Sequence, residues 1–164
     1  MALKADRIEE STDISHFYNA GTATRGGVAV LDAASASGAA MDQAANLVKY
    51  AVAVSTDVPV GVLLNDVVNK DLTRTHLNQY KDEVQKGGKV TIMTRGQVTT
   101  SNLTGTPAAG GLAYACQTTA GLISTSASVS TAAVSGNLCI GRFLSVKDSD
   151  GYAKVHVNLP NFGA

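Results

Sequence analysis

From Gly27 onward the chain is a succession of short β-branched and aliphatic runs, cut at close intervals by Gly, Ser, Thr and Asn. Alternation with a period of two marks strands with one buried face. Ala153–Leu159 (AKVHVNL) shows it most cleanly, with Ala153, Val155, Val157 and Leu159 on one side and Lys154, His156 and Asn158 on the other. Gly27–Leu31 (GVAVL), Lys89–Thr100 (KVTIMTRGQVTT), Leu112–Gln117 (LAYACQ), Leu122–Thr125 (LIST) and Leu138–Val146 (LCIGRFLSV) also read as strands. Pro59–Val68 (PVGVLLNDVV) is apolar on both faces, which predicts a strand covered on both sides. Asn46–Val54 (NLVKYAVAV) alternates like a strand, with a short helix over Asp42–Tyr50 as the alternative. Leu72–Val84 (LTRTHLNQYKDEV) fits neither period well and stays open.

Turn chemistry separates these runs. Thr106–Gly111 (TPAAGG) predicts a turn, and Thr118–Gly121 (TTAG) predicts a hairpin between its two neighbours. Asp148–Gly151 (DSDG) predicts another, and Gly96 inside a strand suggests a bulge. Ala33–Ala45 and Ser124–Ser135 read as small-residue loops. Closely spaced strands with Gly-rich turns predict an all-β fold, a small β-barrel or sandwich. Residues 1–26 differ: they are polar, with isolated Leu3, Ile8, Ile14, Phe17 and Tyr18. They read as an extended N-terminal arm whose anchors dock on something, ahead of a β-barrel domain over residues 27–164. The alternative makes Ile14–Tyr18 simply the first strand.

The 164 residues suffice for a single domain with a real core. Lys+Arg and Asp+Glu are 13 each, a formal net charge of +0, so nothing favours nucleic acid as a partner. Charged residues make up 16%, below the usual quarter or so, which points to a surface with somewhere dry to sit. Cys116 and Cys139 lack CxxC spacing and read as small core thiols. The first thirteen residues, MALKADRIEESTD, lack the apolar stretch of a signal peptide, so synthesis in a cytoplasm is expected. No apolar run reaches the ~18 residues of a membrane helix, so no membrane partner is expected.

Reaction machinery is not apparent. There is no GxSxG elbow and no GxGxxG after a strand. Gly87-Gly88-Lys89 is followed by Val90 and lacks the upstream Gly of a phosphate loop. His16, His76 and His156 share no metal-ligand spacing. Asp148, Asp150 and Gly151 resemble the start of a calcium loop, but Leu159 stands where the bidentate Glu belongs. No catalytic residue, metal or cofactor is expected.

The succession PVGVLL (Pro59–Leu64), GKVTIMTRGQV (Gly88–Val98), AAGGLAYACQTTAGLIS (Ala108–Ser124), CIGRFLS (Cys139–Ser145) and AKVHVNL (Ala153–Leu159) resembles the capsid cement, or decoration, proteins of tailed bacteriophages, which have a small β-tulip-like barrel. The matching positions build the barrel and carry no chemistry. The resemblance implies a virion protein on the capsid exterior that binds capsomer junctions and stabilises the expanded head. Its partners would be the major capsid protein and copies of itself, as a homotrimer. The arm is then the expected capsid contact, with Arg7, Ile8, Ile14, Phe17 and Tyr18 as its contact residues. Tyr50 and Tyr114 are candidates for the axis between copies, although Tyr114 shares a strand face with Leu112 and Cys116 and is expected in the core. Removing residues 1–18 is expected to leave a folded barrel. Two rivals remain: a tail or fibre subunit, and a small β-barrel enzyme whose site would form between copies from Asp66, Asp71, Arg74 and His76.

Overall fold

The computed structural model describes residues 3–21, 23–32, 46–50, 58–64, 83–84, 86–116, 118–127 and 138–159. The regular elements among them are all strands: β1 (Ile8–Asp13), β2 (Phe17–Tyr18), β3 (Ala23–Thr24), β4 (Val28–Leu31), β5 (Leu47–Tyr50), β6 (Pro59–Leu63), β7 (Glu83–Val84), β8 (Ile92–Thr100), β9 (Leu103–Thr104), β10 (Leu112–Ala115), β11 (Ile123–Ser124), β12 (Cys139–Phe143) and β13 (Ala153–Asn158). The fold is all-β, as the alternation implies, and residues 47–50 take the strand alternative. The stretches 33–45, 65–82 and 128–137 lie outside the described residues, and with them the Ala33–Ala45 loop, most of Leu72–Val84 and most of the Ser/Thr run.

Eleven strands form one sheet in the order β2-β5-β4-β6-β8-β13-β12-β10-β11-β9, with β1 added on β8; β3 and β7 form a separate pair. β8 is the organising element because it is long enough to serve two neighbours on one edge. Its start pairs with β6 through Met93 and Ile92, and Arg95–Thr100 pairs with β13. Its opposite edge carries β1. The sheet therefore divides at β8 into two wings, which meet again on the far side. There Val28 N donates to the Gly121 carbonyl at 2.9 Å.

Curling the sheet this way encloses the main core. Val28 and Val62 of one wing share it with Ala113, Ile123, Ile140, Phe143, Val155 and Val157 of the other. A second core lies on the other face of β4, β6 and the start of β8, where Ala29, Leu63 and Ile92 pack with Tyr18, Ala23, Val48 and Val84. Two cores explain why β6 is apolar on both faces: each of its sides removes area from water, worth about 25 cal/mol per Å².

Turn predictions hold. β10 and β11 pair through Tyr114↔Ser124, and the Asp148–Gly151 turn joins β12 to β13. In that turn the Asp148 carboxylate accepts the amides of Asp150 and Tyr152, and Gly151 takes a φ of 87°. Gly96 marks an irregularity in the β1–β8 pairing, where a Cβ would strike the Ile8 carbonyl. Cys116 is a buried thiol and Cys139 a half-buried one.

One expectation fails. Tyr114 and Leu112 do not face the core; Leu112 is exposed, Tyr114 is half-buried, and Ala113 and Ala115 are the buried residues of β10. The neighbouring strands already fill that space with Ile123, Ile140 and Phe143. Only a small side chain fits between them.

Candidate functional site

The N-terminal segment runs antiparallel to residues 87–100 for nearly its whole length. Leu3 bridges to Thr100, Lys4 N donates to the Thr99 carbonyl at 2.9 Å, and β1 pairs from Ile8↔Gln97 to Asp13↔Ile92. Val90 N then donates to the His16 carbonyl, Phe17 bridges to Lys89, and Tyr18 N donates to the Gly88 carbonyl. Past β1 the segment is sandwiched, since β2 also pairs in parallel with β5. β1 itself has a strand on one side only among the described residues.

The candidate contact residues divide by position on this ribbon. Ile8 and Ile14 are 51% and 53% exposed, unusual for branched aliphatics. Arg7 pairs with Glu9 across the surface. Phe17 is half-buried in β2. Tyr18 is only 2% exposed and belongs to the second core, where it meets Tyr50 edge-on with centroids 5.9 Å apart. It fastens the ribbon from within and presents no contact surface. Burial pushes both phenols above their ordinary value, Tyr50 far above. Tyr50 is also held in a slot between Gly27 and Gly121, where any Cβ would strike its ring.

A clamp holds the start of the ribbon. Lys4 Nζ donates to Asp148 Oδ2 at 2.8 Å and lies 4.4 Å from the centre of the Tyr152 ring. The hydrogen bond to Asp148 raises the Lys4 pKa, and the same bond lowers that of Asp148. Leu3, 1% exposed, inserts beside it into the main core. A chain lacking residues 1–18 loses Leu3 from one core and Tyr18 from the other.

β1 carries a polar, bulged edge that no second described strand covers. Its sequence IEESTD is polar, and its register shifts between Glu9 and Ser11 and again between Ser11 and Thr12. Charges and bulges on an edge discourage indiscriminate strand pairing. Glu10 meets Arg95 Nε at 3.0 Å, and His16 Nδ1 lies 3.4 Å from Asp13. What the edge offers is a polar rim around two isolated apolar side chains.

Other exposed apolar residues gather on β10 and β12 and beside them: Leu112, Leu138, Leu144 and Val146. These were missed in the sequence because a large aliphatic in an alternating run is taken as inward. The adjacent alanines of LAYA were the available signal. Asp66, Asp71, Arg74 and His76 lie outside the described residues. Among the described residues no His, Cys, Asp and Glu cluster suits a metal ion, and no helix is long and apolar enough to cross a membrane.

A model of the phage structural cement protein family (E217 gp24/Pam3 gp6) matches residues 8–158, from the first residue of β1 to the last of β13. No curated protein matches the chain.

Proposed function

Because the chain belongs to the phage structural cement protein family, whose model covers residues 8–158, we propose that it binds the outside of the capsid at junctions between capsomers and stabilises the expanded head. The major capsid protein is its partner, and the working form is a homotrimer. The role is structural, with no reaction to catalyse. The observation that carries the reading is the family match, which takes in the whole of β1.

The contact runs through that edge. Ile8 and Ile14 are the anchors, Arg7 and Phe17 flank them, and the edge of β1 that no second described strand covers is able to add to a neighbouring strand. A subunit that binds the expanded lattice and not its precursor shifts the balance toward expansion by its binding free energy. Several contacts per oligomer add through avidity, so each one can be weak.

The test adds the protein to expanded heads assembled without it and measures occupancy. Ile8→Ser with Ile14→Ser removes two half-exposed side chains and leaves both cores intact. Covering each on docking is worth about 1 kcal/mol, so the affinity of the double variant drops roughly ten- to thirty-fold. Undiminished occupancy by that variant would remove the contact residues. Failure of the wild type to bind any head would remove the function. Mass measurement in solution checks the trimer.

A further inference from the structure

The pairing registers align five side chains across five strands. Leu112 stands opposite Arg142, Arg142 opposite His156, His156 opposite Gln97, and Gln97 opposite Ile8. Directly opposed residues of antiparallel strands share a face. The adjacent row of Phe143, Val155 and Val98 is buried, so the first row points outward. Its ends, Leu112 and Ile8, are both exposed large aliphatics. With strands about 4.8 Å apart, the row is roughly 20 Å long. Beside it lie Lys154, opposite Thr99, and exposed Leu144, whose amide donates to the Lys154 carbonyl at 2.8 Å.

Within this face β12 and β13 carry Arg142 and Lys154 and no acid, although the chain as a whole is formally neutral. Along its β1 border two of the acids are ion-paired and two accept hydrogen bonds from neutral donors, which leave their charge in place. Glu9 pairs with Arg7 and Glu10 with Arg95; Asp6 accepts from Thr99 Oγ1 at 3.3 Å, and Asp13 accepts the Ser15 amide at 2.7 Å. No ion pair among the described residues engages Arg142 or Lys154. Arg142 Nη1 donates to the Gly110 carbonyl at 2.6 Å, which orients the guanidinium without neutralising it. The β12–β13 part of the face therefore presents two basic groups outside any ion pair among the described residues, Arg142 oriented by its carbonyl contact, between apolar ends.

We propose that this outward face of β10, β12, β13, β8 and β1 docks on a carboxylate-bearing strip of the capsid's outer surface. Arg142 and Lys154 receive the carboxylates, while Leu112, Leu144 and Ile8 cover apolar side chains at the two ends. The proposal rests on the capsid-binding reading and enlarges its contact from an edge to a sheet face. Complementary charge steers association and rejects wrong partners. A second copy of this chain meeting it face to face is the poorer occupant, because that would set Arg142 and Lys154 against groups of the same sign.

The test compares binding to expanded heads lacking the protein for the wild type, for Arg142→Glu with Lys154→Glu, and for Arg142→Gln with Lys154→Gln. Unchanged thermal midpoints confirm that both variants fold. The reversal is expected to weaken binding about hundred-fold and the neutral pair about ten-fold. Raising salt from about 0.05 M to about 0.3 M should weaken the wild type more than the neutral pair. If the wild type binds and the reversed variant binds equally well, the inference falls while the capsid reading stands. If the wild type does not bind at all, the capsid reading falls and takes the inference with it. A lowered oligomer mass for the reversed variant would assign the face to a second copy and overturn the proposal.

Discussion

At Gly141, β12 and β13 approach so closely that a Cβ would run into the carbonyl oxygen of His156, with the His156 carbonyl carbon at 2.9 Å and the Val157 Cα at 3.1 Å. These are backbone atoms of a paired strand and cannot rotate aside. Gly141 and Gly96 stand on either side of Val157 across the sheet, a line of minimal side chains where the sheet can bend. Gly141→Ala should therefore cost about 2–3 kcal/mol, a fall in thermal midpoint of roughly 5–10 °C; an unchanged midpoint would show that the strands separate easily. Tyr50 gives a prediction in pH. Its folded pKa is raised by burial above the ordinary 10.0, so its contribution to stability is complete below pH 10.0 and is lost as pH rises through the folded value. Tyr50→Phe removes the ionisable group from the same slot. The variant should gain on the wild type in urea midpoint only above pH 10.0, and parallel curves throughout would contradict that account. The Lys4–Asp148 pair works within wider limits. Lys4 is raised from 10.5 and Asp148 lowered from 3.8, so the effect of Lys4→Met should be flat between those values and shrink outside them.

Among the elements, the N-terminal ribbon departs most from local expectation. Leu3 lies far from any alternating run, yet it fills the main core beside Val98 and Phe143. Leu3→Ala should cost about 2–4 kcal/mol in chemical unfolding, comparable with a mid-sheet position; a loss below about 0.5 kcal/mol would mean that the start of the chain is only loosely held. Strand identity was legible wherever period-two alternation met turn chemistry: β13, the Asp148–Gly151 turn and the β10–β11 hairpin all follow from residues close in sequence. The covering of β6 on both sides was legible from PVGVLL. Pairing partners were not. Nothing local in residues 3–18 specifies residues 87–100 as their neighbour, and the parallel pairs β2–β5 and β9–β11 join segments with no shared turn. Alternation gives two faces without saying which is inner. Size usually decides, and in β10 it decided wrongly, because the adjacent strands had already filled the interior. Of the five residues read as arm contacts, the pattern could not separate exposed Ile8 and Ile14 from buried Tyr18, since only tertiary pairing distinguishes them.

At the scale of the whole molecule, two cores leave the outer sheet face and the β1 edge among the surfaces that no other described strand covers. A cement role then makes a quantitative demand. If the protein stabilises the head only by binding it, protection must follow the free concentration through RT ln(1 + [L]/Kd) per site, about 2.7 kcal/mol at a hundred times Kd. The temperature at which filled heads release their genome should rise with added protein and keep rising slowly after every site is occupied, because mass action continues beyond saturation. Ile8→Ser with Ile14→Ser should displace that curve to higher concentration without changing its slope. A rupture temperature that stops moving once the sites are full would indicate that the attached protein blocks a kinetic step of shell failure. Both cases are compatible with occupancy on the head, and only the first makes the reversible contact through Ile8, Ile14 and the basic face the source of the strength.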